Sequence, residues 1–352
     1  MLPSFFGLNT VTRALMAQQE AVDVVNQNIS NASTPGYSEQ TAVITATDPY
    51  TTPAFDRPGL SGQLGTGVVV SKVNRMQDEL LNAQIRNGTQ AMGQAQTMDD
   101  LYNQIQSIYN DPSNIAINSS ATSFFNSVHD LSNNPESTAA RTAMEQQGEG
   151  LASAISTRYQ QLTSLQSDMN TKVEGIVGDV NSTIQQIAAL NGQISEVTGL
   201  GDNANDLMDK RDTLVDHLSS LVDTRDVKNL DGTDTIQLNG RFLVNKDQAY
   251  TLSTLPNANS TATVKPVDVF WTQDLNQFQI VHPGYDPISG KNITTGQPLP
   301  STATPPQSVQ QTLITTGTLA GTMQIRDQVI QDTLLPQLNE LADSFTNTQV
   351  LS

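Results

Sequence analysis

The sequence contains no cysteine, and this absence excludes several classes of chemistry at once. Disulfides, thiolate catalysis, Cys-bound zinc and iron–sulfur clusters all need that side chain. Basic residues are also scarce, since 17 Lys and Arg stand against 35 Asp and Glu and give a formal net charge of −18. Nucleic acids and anionic membrane surfaces select for Lys and Arg, so we expect neither as a partner.

Long hydrophobic runs are missing as well. No run of about 20 apolar residues is present, so we expect no membrane-spanning segment. The stretch from Met1 to Leu8 is uncharged and too short for a secretory signal peptide, so export would use another route, for which a cysteine-free chain is suited. Charged residues make up 15% and apolar residues 36% of the chain, a composition that favours modest cores in an elongated molecule.

Reactive side-chain patterns are absent from the sequence. The histidines are too far apart for a metal-ligand motif: His129, His217 and His282. No glycine-rich phosphate loop and no nucleophile elbow occurs. An aspartate series lacks the spacing of a calcium-binding loop: Asp202, Asp206 and Asp209. We therefore predict no catalytic residues, no metal, no cofactor and a function that is not enzymatic.

The first element is a predicted helix from about Leu8 to Asn28. Its apolar residues step alternately by three and four positions, with Gln18 filling one gap, which is the spacing of a coiled-coil stripe. We call these residues the assembly seam: Leu8, Val11, Leu15, Val22, Val25 and Ile29. Two interpretations remain open, namely a surface for another subunit and an amphipathic helix packed on its own domain.

A cluster of turn-forming residues follows this helix. Pro35 ends the helical hydrogen bonding and favours extended backbone at the preceding residue. Gly36 supplies the positive φ that a type II turn needs after proline. We call the set the motif turn: Asn28, Asn31, Thr34, Pro35, Gly36 and Tyr37. Tyr37 is predicted to anchor the turn by packing its ring on a neighbouring shaft.

Helical patterns dominate from Met76 to Leu221. Within them the apolar series from Leu151 to Val197 predicts a helix of about 50 residues, on the order of 75 Å long. From Val227 to about Gln310 the pattern changes to short strands, separated by turn residues such as Asn239-Gly240. The predicted strands are Thr235–Leu238, Arg241–Val244, Thr263–Val267, Val269–Trp271 and Phe278–Val281. Helical patterns return from Gly317 to Phe345.

The resulting fold class is mainly α with a β insert. We expect an elongated multi-domain rod, in which long helices form a coiled-coil-like shaft and a small all-β domain lies outside it. The predicted segments are an N-terminal segment (1–65), a long-helix shaft domain (66–226), a β-rich outer domain (227–310) and a return helix (311–352).

Three stretches resemble a known family. The run from Asn28 to Ser38, Asn-Ile-Ser-Asn-Ala-Ser-Thr-Pro-Gly-Tyr-Ser, is similar to the signature that flagellar rod, hook and hook-associated proteins share. The run from Asn205 to Asp212, Asn-Asp-Leu-Met-Asp-Lys-Arg-Asp, and the run from Gly317 to Gly321 with Arg326-Asp327 resemble blocks of the FlgK type of hook-associated protein. The match extends over nearly the whole chain.

This resemblance implies a secreted, extracellular subunit at the junction between flagellar hook and filament. It would leave the cell through the type III export channel and self-assemble as a ring or short helical layer. The implied partners are further copies of itself, the hook protein, a second junction protein or filament subunit, an export chaperone and the export gate. Family members continue beyond the position of Ser352 with a closing heptad helix, so the resemblance implies that the C-terminal part is missing.

Two other functions remain open. A hook or distal-rod subunit would share the motif turn, but the block from Asp206 to Asp212 and the long helix argue against it. A free extracellular binding module, similar to an adhesin, would place its ligand site in the β insert, yet no aromatic cluster or charged patch there defines a ligand.

Overall fold

The computed structural model describes residues 5–50, 65–109, 117–299 and 309–346. Elements are numbered in chain order. The α-helices are α1 (Phe6–Asn31), α2 (Glu79–Tyr109), α3 (Ile117–Asn133), α4 (Thr138–Gly199), α5 (Asn205–Leu221), α6 (Thr272–Val281), α7 (Gly317–Gln324) and α8 (Leu335–Thr346), with a π-helix (Ile325–Leu334) joining the last two. The strands are β1 (Gln40–Ala46), β2 (Val68–Arg75), β3 (Thr224–Lys228), β4 (Asp234–Leu238), β5 (Arg241–Asn245), β6 (Gln248–Ala249), β7 (Leu252–Pro256) and β8 (Val267–Trp271).

The longest element is α4, with 62 residues. At 1.5 Å per residue it is about 93 Å long, whereas a compact ball of 352 residues has a radius of gyration of about 20 Å. The helix begins at Ser137, whose side chain accepts a hydrogen bond from the Ala140 amide as an N-cap. The predicted long helix is confirmed, and its first residue, Thr138, precedes the apolar series that begins at Leu151.

Two apolar clusters divide the body along α4. The first packs the C-terminal half of α4 against α5, α7 and the strands β4, β5, β7 and β8. The second packs the middle of α4 against α2, the π-helix and α8. Because Ile184 and Ile187 of α4 share one cluster with Ile236 and Trp271 of the strands, the β insert and the long helix are built on a common core.

The strands form three small antiparallel sheets in the described part of the chain. The order β3-β4-β5-β6 is a meander, whereas β1-β2 and β7-β8 are hairpins. Between β4 and β5 the predicted Asn-Gly turn is confirmed, since Asn239 and Gly240 have φ values of 48° and 80°. The mainly α fold with a β insert is thereby confirmed.

Two predicted strands are wrong. The segment Phe278–Val281 lies in α6, because Leu275 and Phe278 are spaced three apart and turn one helical face into the core. Of Thr263–Val267, only the last residue is in a strand, where β8 begins. The insert is therefore not all-β. The predicted boundary after residue 226 falls inside β3, and the division into four segments remains a prediction.

The helix α1 and the hairpin β1-β2 form what we call the N-terminal module. The hairpin is antiparallel, with an irregularity between Val43 and Ile44, and both strands pack on α1. Residues 51–64, which connect the two strands within the predicted N-terminal segment 1–65, lie outside the described residues. None of the apolar clusters contains a described residue of this module, so polar contacts must hold it to the body.

No helix in the described ranges is long and apolar enough to cross a lipid bilayer.

Candidate assembly surface

The two faces of α1 differ sharply in burial. Ala17 and Val24 are buried against the hairpin. All six residues of the assembly seam are exposed, with exposed fractions between 53% and 70%: Leu8, Val11, Leu15, Val22, Val25 and Ile29. Helix α1 therefore packs on its own module through one face and presents the apolar residues of the other face to solvent, so the described part of the chain does not cover the seam.

The seam is also poor in charge. Only Arg13, Glu20 and Asp23 are ionisable between Phe6 and Asn31. The helix therefore has few charged groups that a partner would have to desolvate. Burying such a stripe has a small electrostatic cost, and the transfer of its apolar surface out of water is favourable.

The motif turn ends α1 and reverses the chain into β1. The Thr34 amide donates to the Asn31 carbonyl at 2.9 Å, and the Tyr37 amide donates to the Thr34 carbonyl at 3.2 Å. Gly36 has a φ of 80°, as the sequence predicted for a turn after Pro35. A side chain at Gly36 would overlap the Thr213 hydroxyl of α5, so this position needs glycine for both conformation and space.

Asn28 links the end of α1 to the start of β1. Its Oδ1 accepts from the Tyr37 hydroxyl at 2.7 Å and from the Gln40 amide at 3.0 Å. Its Nδ2 donates to the Gln40 carbonyl at 2.8 Å. Tyr37 thus anchors the turn through its hydroxyl and within its own chain; packing of its ring on a neighbouring subunit stays a prediction. Burial raises the pKa of Tyr37, and the carboxylates of Asp206 and Asp209 raise it further.

The block from Asn205 to Asp212 receives the N-terminal module. Arg75 of β2 makes ion pairs with Asp209 at 2.6 Å and with Asp212 at 2.8 Å. Asp209 also accepts from the Ser38 amide at 3.1 Å. The two sequence motifs, about 170 positions apart in the chain, therefore meet and form one joint between the module and the body.

Behind this joint lies a buried cluster of balanced charge. Arg211 pairs with Asp234 at 3.0 Å and with Asp212 at 3.2 Å, and Lys228 reaches both carboxylates. Burial opposes ionisation of Asp212, but Lys228, Arg211 and Arg75 outweigh it and hold its pKa well below the usual range. At Asp234 burial prevails over the attraction of Arg211 and Lys228, and its pKa is raised.

A polar cleft of about 650 Å³ lies beside the joint, between α1, β2 and residues 201–207, which lead into α5 and form its first turn. Its walls carry Glu20, Gln27, Lys72 and Asp206. The cleft leaves space between α1 and the body beside the joint.

The third family-like stretch, Gly317 to Gly321 with Arg326-Asp327, serves packing within the body. A side chain at Gly317, which has a φ of 88°, would collide with the backbone of Leu221 and Val222. Arg326 is fully buried and bidentate to Asp327, and it donates to the Val267 carbonyl at 2.7 Å. This arginine ties the π-helix to β8, which explains why Arg-Asp stands in that block.

The sequence predicted the exposed stripe of α1 and the turn at Gly36, whose role in assembly stays a prediction, but it did not identify Arg75, Asp209 and Thr213 as members of the joint. The feature that could have indicated them is the acidic block from Asn205 to Asp212, because its carboxylates had no predicted basic partner. Among the described residues no group of three or more His, Cys, Asp or Glu is placed to hold a metal ion.

Two family models match the chain. Residues 102–349 match the model of the flagellar hook-associated protein FlgK helical domain, and residues 8–37 match the flagella basal body rod protein family. The chain is 35% identical over 236 residues to flagellar hook-associated protein 1 of Bacillus subtilis strain 168, covering 67% of this chain and 46% of that protein.

A second relative is flagellar hook-associated protein 1 of Salmonella typhimurium, with 34% identity over 257 residues, 71% of this chain and 44% of that protein. The chain thus spans about half the length of the relatives it matches. A solved structure, of the flagellar hook junction protein FlgK from Burkholderia pseudomallei, has a similar fold, with a TM-score of 0.50 and 23% identity over 71% of this chain and 39% of that one. The chain belongs to the FlgK family of flagellar hook-associated proteins, which are structural components of the bacterial flagellum.

Proposed function

We propose that this chain is a structural adaptor subunit that joins the flagellar hook to the filament and self-assembles through α1. The observation that carries the proposal is the exposure of all six seam residues on a helix whose other face is buried. The expected partners are further copies of the chain, the hook protein and a second junction protein or filament subunit. Export through the type III channel, with its chaperone and gate, and an extracellular position at the junction belong to the same proposal.

The free energy available from burying the seam is sufficient for a polymer with several contacts per subunit but marginal for an isolated dimer. Each seam side chain is about half exposed, so burying the remainder contributes about 1 kcal/mol, or about 6 kcal/mol for all six. Association costs an estimated 4–15 kcal/mol in lost freedom and ordering. One seam contact is therefore marginal by itself, and assembly needs several contacts per subunit, as a ring or a helical layer provides.

The motif turn supports the same function. Gly36 of the turn lies against Thr213 of the body, and Arg75 of the adjoining β2 adds ion pairs with Asp209 and Asp212, so together they fix the position of the end of α1. Those contacts are polar, so the angle between α1 and the body depends on directional hydrogen bonds and ion pairs rather than on a hydrophobic core. An adaptor between two different lattices needs such a defined angle.

The test compares the same leucine-to-glutamine substitution at two exposed positions. Leu15→Gln changes the seam, whereas Leu230→Gln changes a leucine that is fully exposed elsewhere. Both variants should keep the thermal stability of the monomer within about 0.5 kcal/mol, because neither side chain is buried. In flagellated cells that lack their own junction subunit, only Leu15→Gln should reduce capping of hooks. Equal capping by both variants would contradict the proposal.

A further inference from the structure

The long helix α4 contains three asparagines, and each of them binds the first residue of a strand in the β insert. They are Asn170, Asn181 and Asn191. The spacings of 11 and 10 residues are close to three helical turns, so all three face the same side of α4. Asparagine disfavours helix interiors, because its side chain competes with the backbone for hydrogen bonds, so three of them in one helix require an explanation.

Two of the side-chain amides bind a strand residue through both its amide and its carbonyl. Asn181 accepts from the Leu252 amide at 2.8 Å and donates to the Leu252 carbonyl at 2.8 Å. Asn191 accepts from the Asp234 amide at 3.1 Å and donates to the carbonyls of Asp234 and Lys246 at 2.8 and 2.9 Å. In an antiparallel ladder, the amide and carbonyl of one residue point at the same neighbouring strand. At Leu252 and Asp234 an asparagine of α4 takes the place of that neighbour.

Asn170 makes the third junction. It donates to the Lys265 carbonyl at 2.9 Å and accepts from the amide of Val267, where β8 begins, at 3.1 Å. Arg326 of the π-helix donates to the same side-chain oxygen at 3.0 Å. The strands β4, β7 and β8 therefore all begin at an asparagine of one helix.

The apolar core between α4 and the insert does not define these positions by itself. Burial of apolar surface is favourable in many orientations, because the hydrophobic effect has no direction. A strand that slips by one residue turns its buried side chains to the other face of the sheet. Two hydrogen bonds between one side-chain amide and one strand residue hold that residue at a single position on α4.

We propose that Asn170, Asn181 and Asn191 are positioning residues, which fix the register and the orientation of the insert strands on α4. The shared apolar core holds the insert on the helix, and the asparagines determine which strand residue lies at which helical turn. The insert then moves with the long helix as one rigid arm. This inference concerns the insert alone and does not depend on the assembly seam.

The experiment removes one asparagine at a time. Asn181→Ala removes the hydrogen bonds to β7, and Asn191→Ala removes those to β4. Alanine favours the helix interior, so α4 itself is not weakened. The control Gln186→Ala removes an exposed amide group that donates to Ser182 of the same helix.

Spin labels report the position of each sheet relative to α4. Because the chain has no cysteine, pairs of introduced cysteines take the labels at chosen exposed sites. The first pair, Glu174→Cys with Ile280→Cys, joins α4 to α6, which directly follows β8 of the β7-β8 hairpin. The second pair, Glu174→Cys with Leu230→Cys, joins α4 to the loop before β4. Pulsed electron–electron double resonance then gives a distance distribution for each pair.

The two asparagine variants should have opposite effects. Asn181→Ala should broaden the distribution of the first pair and leave the second as in the parent, whereas Asn191→Ala should do the reverse. Amide exchange at Leu252 in the first variant and at Asp234 in the second should accelerate about tenfold or more, and Gln186→Ala should change nothing. Unchanged distributions in both variants, or equal broadening of both pairs, would overturn the proposal. Asn181 is partly exposed, so Asn181→Ala decides the question alone if Asn191→Ala does not fold.

Discussion

Replacing Gly36 tests how the N-terminal module is held to the body. Alanine at a φ of 80° costs about 1–2 kcal/mol, because a Cβ crowds the backbone in the left-handed region. The Cβ would also displace the Thr213 hydroxyl, which donates to the Asp209 carbonyl at 3.0 Å, and losing that hydrogen bond costs about 1 kcal/mol. Gly36→Ala should therefore destabilise docking by about 2–3 kcal/mol.

Amide hydrogen exchange in β1 measures that cost. The hairpin packs only on α1, and the module contributes to none of the apolar clusters, so we expect it to be marginal once undocked and the amides of Gln40–Ala46 to exchange from that state. At a factor of ten per 1.4 kcal/mol, Gly36→Ala should accelerate their exchange on the order of 30- to 150-fold, while the amides of α4 keep their rates.

A double variant supplies the control. Thr213→Ala removes the overlap, so Gly36→Ala with Thr213→Ala should regain about 1 kcal/mol relative to simple addition of the two single effects. The reasoning is refuted if Gly36→Ala leaves the exchange of β1 unchanged, or if the double variant regains nothing.

Two further predictions concern buried charges. Asp212→Asn should lower the free energy of unfolding at pH 7 by about 3 kcal/mol. The pKa of Asp212 is lower in the folded protein than its unfolded value of about 3.9. Its contribution to stability is therefore complete above that value and is lost as the pH falls through the folded pKa. In urea unfolding, the difference in unfolding free energy between Asp212→Asn and the parent should be smaller at pH 3 than at pH 7. Arg326→Met should cost about 3 kcal/mol or more in the same assay, and Arg326→Lys should not restore it, since an ammonium cannot be bidentate to Asp327; full stability of the lysine variant would argue against this role.

Local sequence patterns predicted those parts of the molecule that local physics determines. The three-and-four spacing from Leu8 to Ile29 defined one face of α1, and the proline–glycine pair predicted a positive φ at Gly36. The long apolar series predicted α4, and Asn239-Gly240 predicted the turn between β4 and β5.

Contacts between distant segments could not be predicted in the same way. Nothing near Arg75 indicates that its partners lie at Asp209 and Asp212, because a charge pattern gives no pairing across more than a hundred residues. The strand predicted at Phe278–Val281 failed for another reason, since a short apolar run fits a strand and a buried helix equally well.

The most direct test of the central claim labels the assembly seam itself. The chain has no cysteine, so Val22→Cys introduces a single reactive thiol on the seam, and Leu230→Cys introduces one at an exposed position elsewhere. Thiol-labelling rates are measured for the monomer and for junctions assembled on hooks. The account predicts that assembly slows labelling at Val22→Cys at least tenfold and leaves Leu230→Cys unchanged; equally fast labelling of the seam before and after assembly would contradict it.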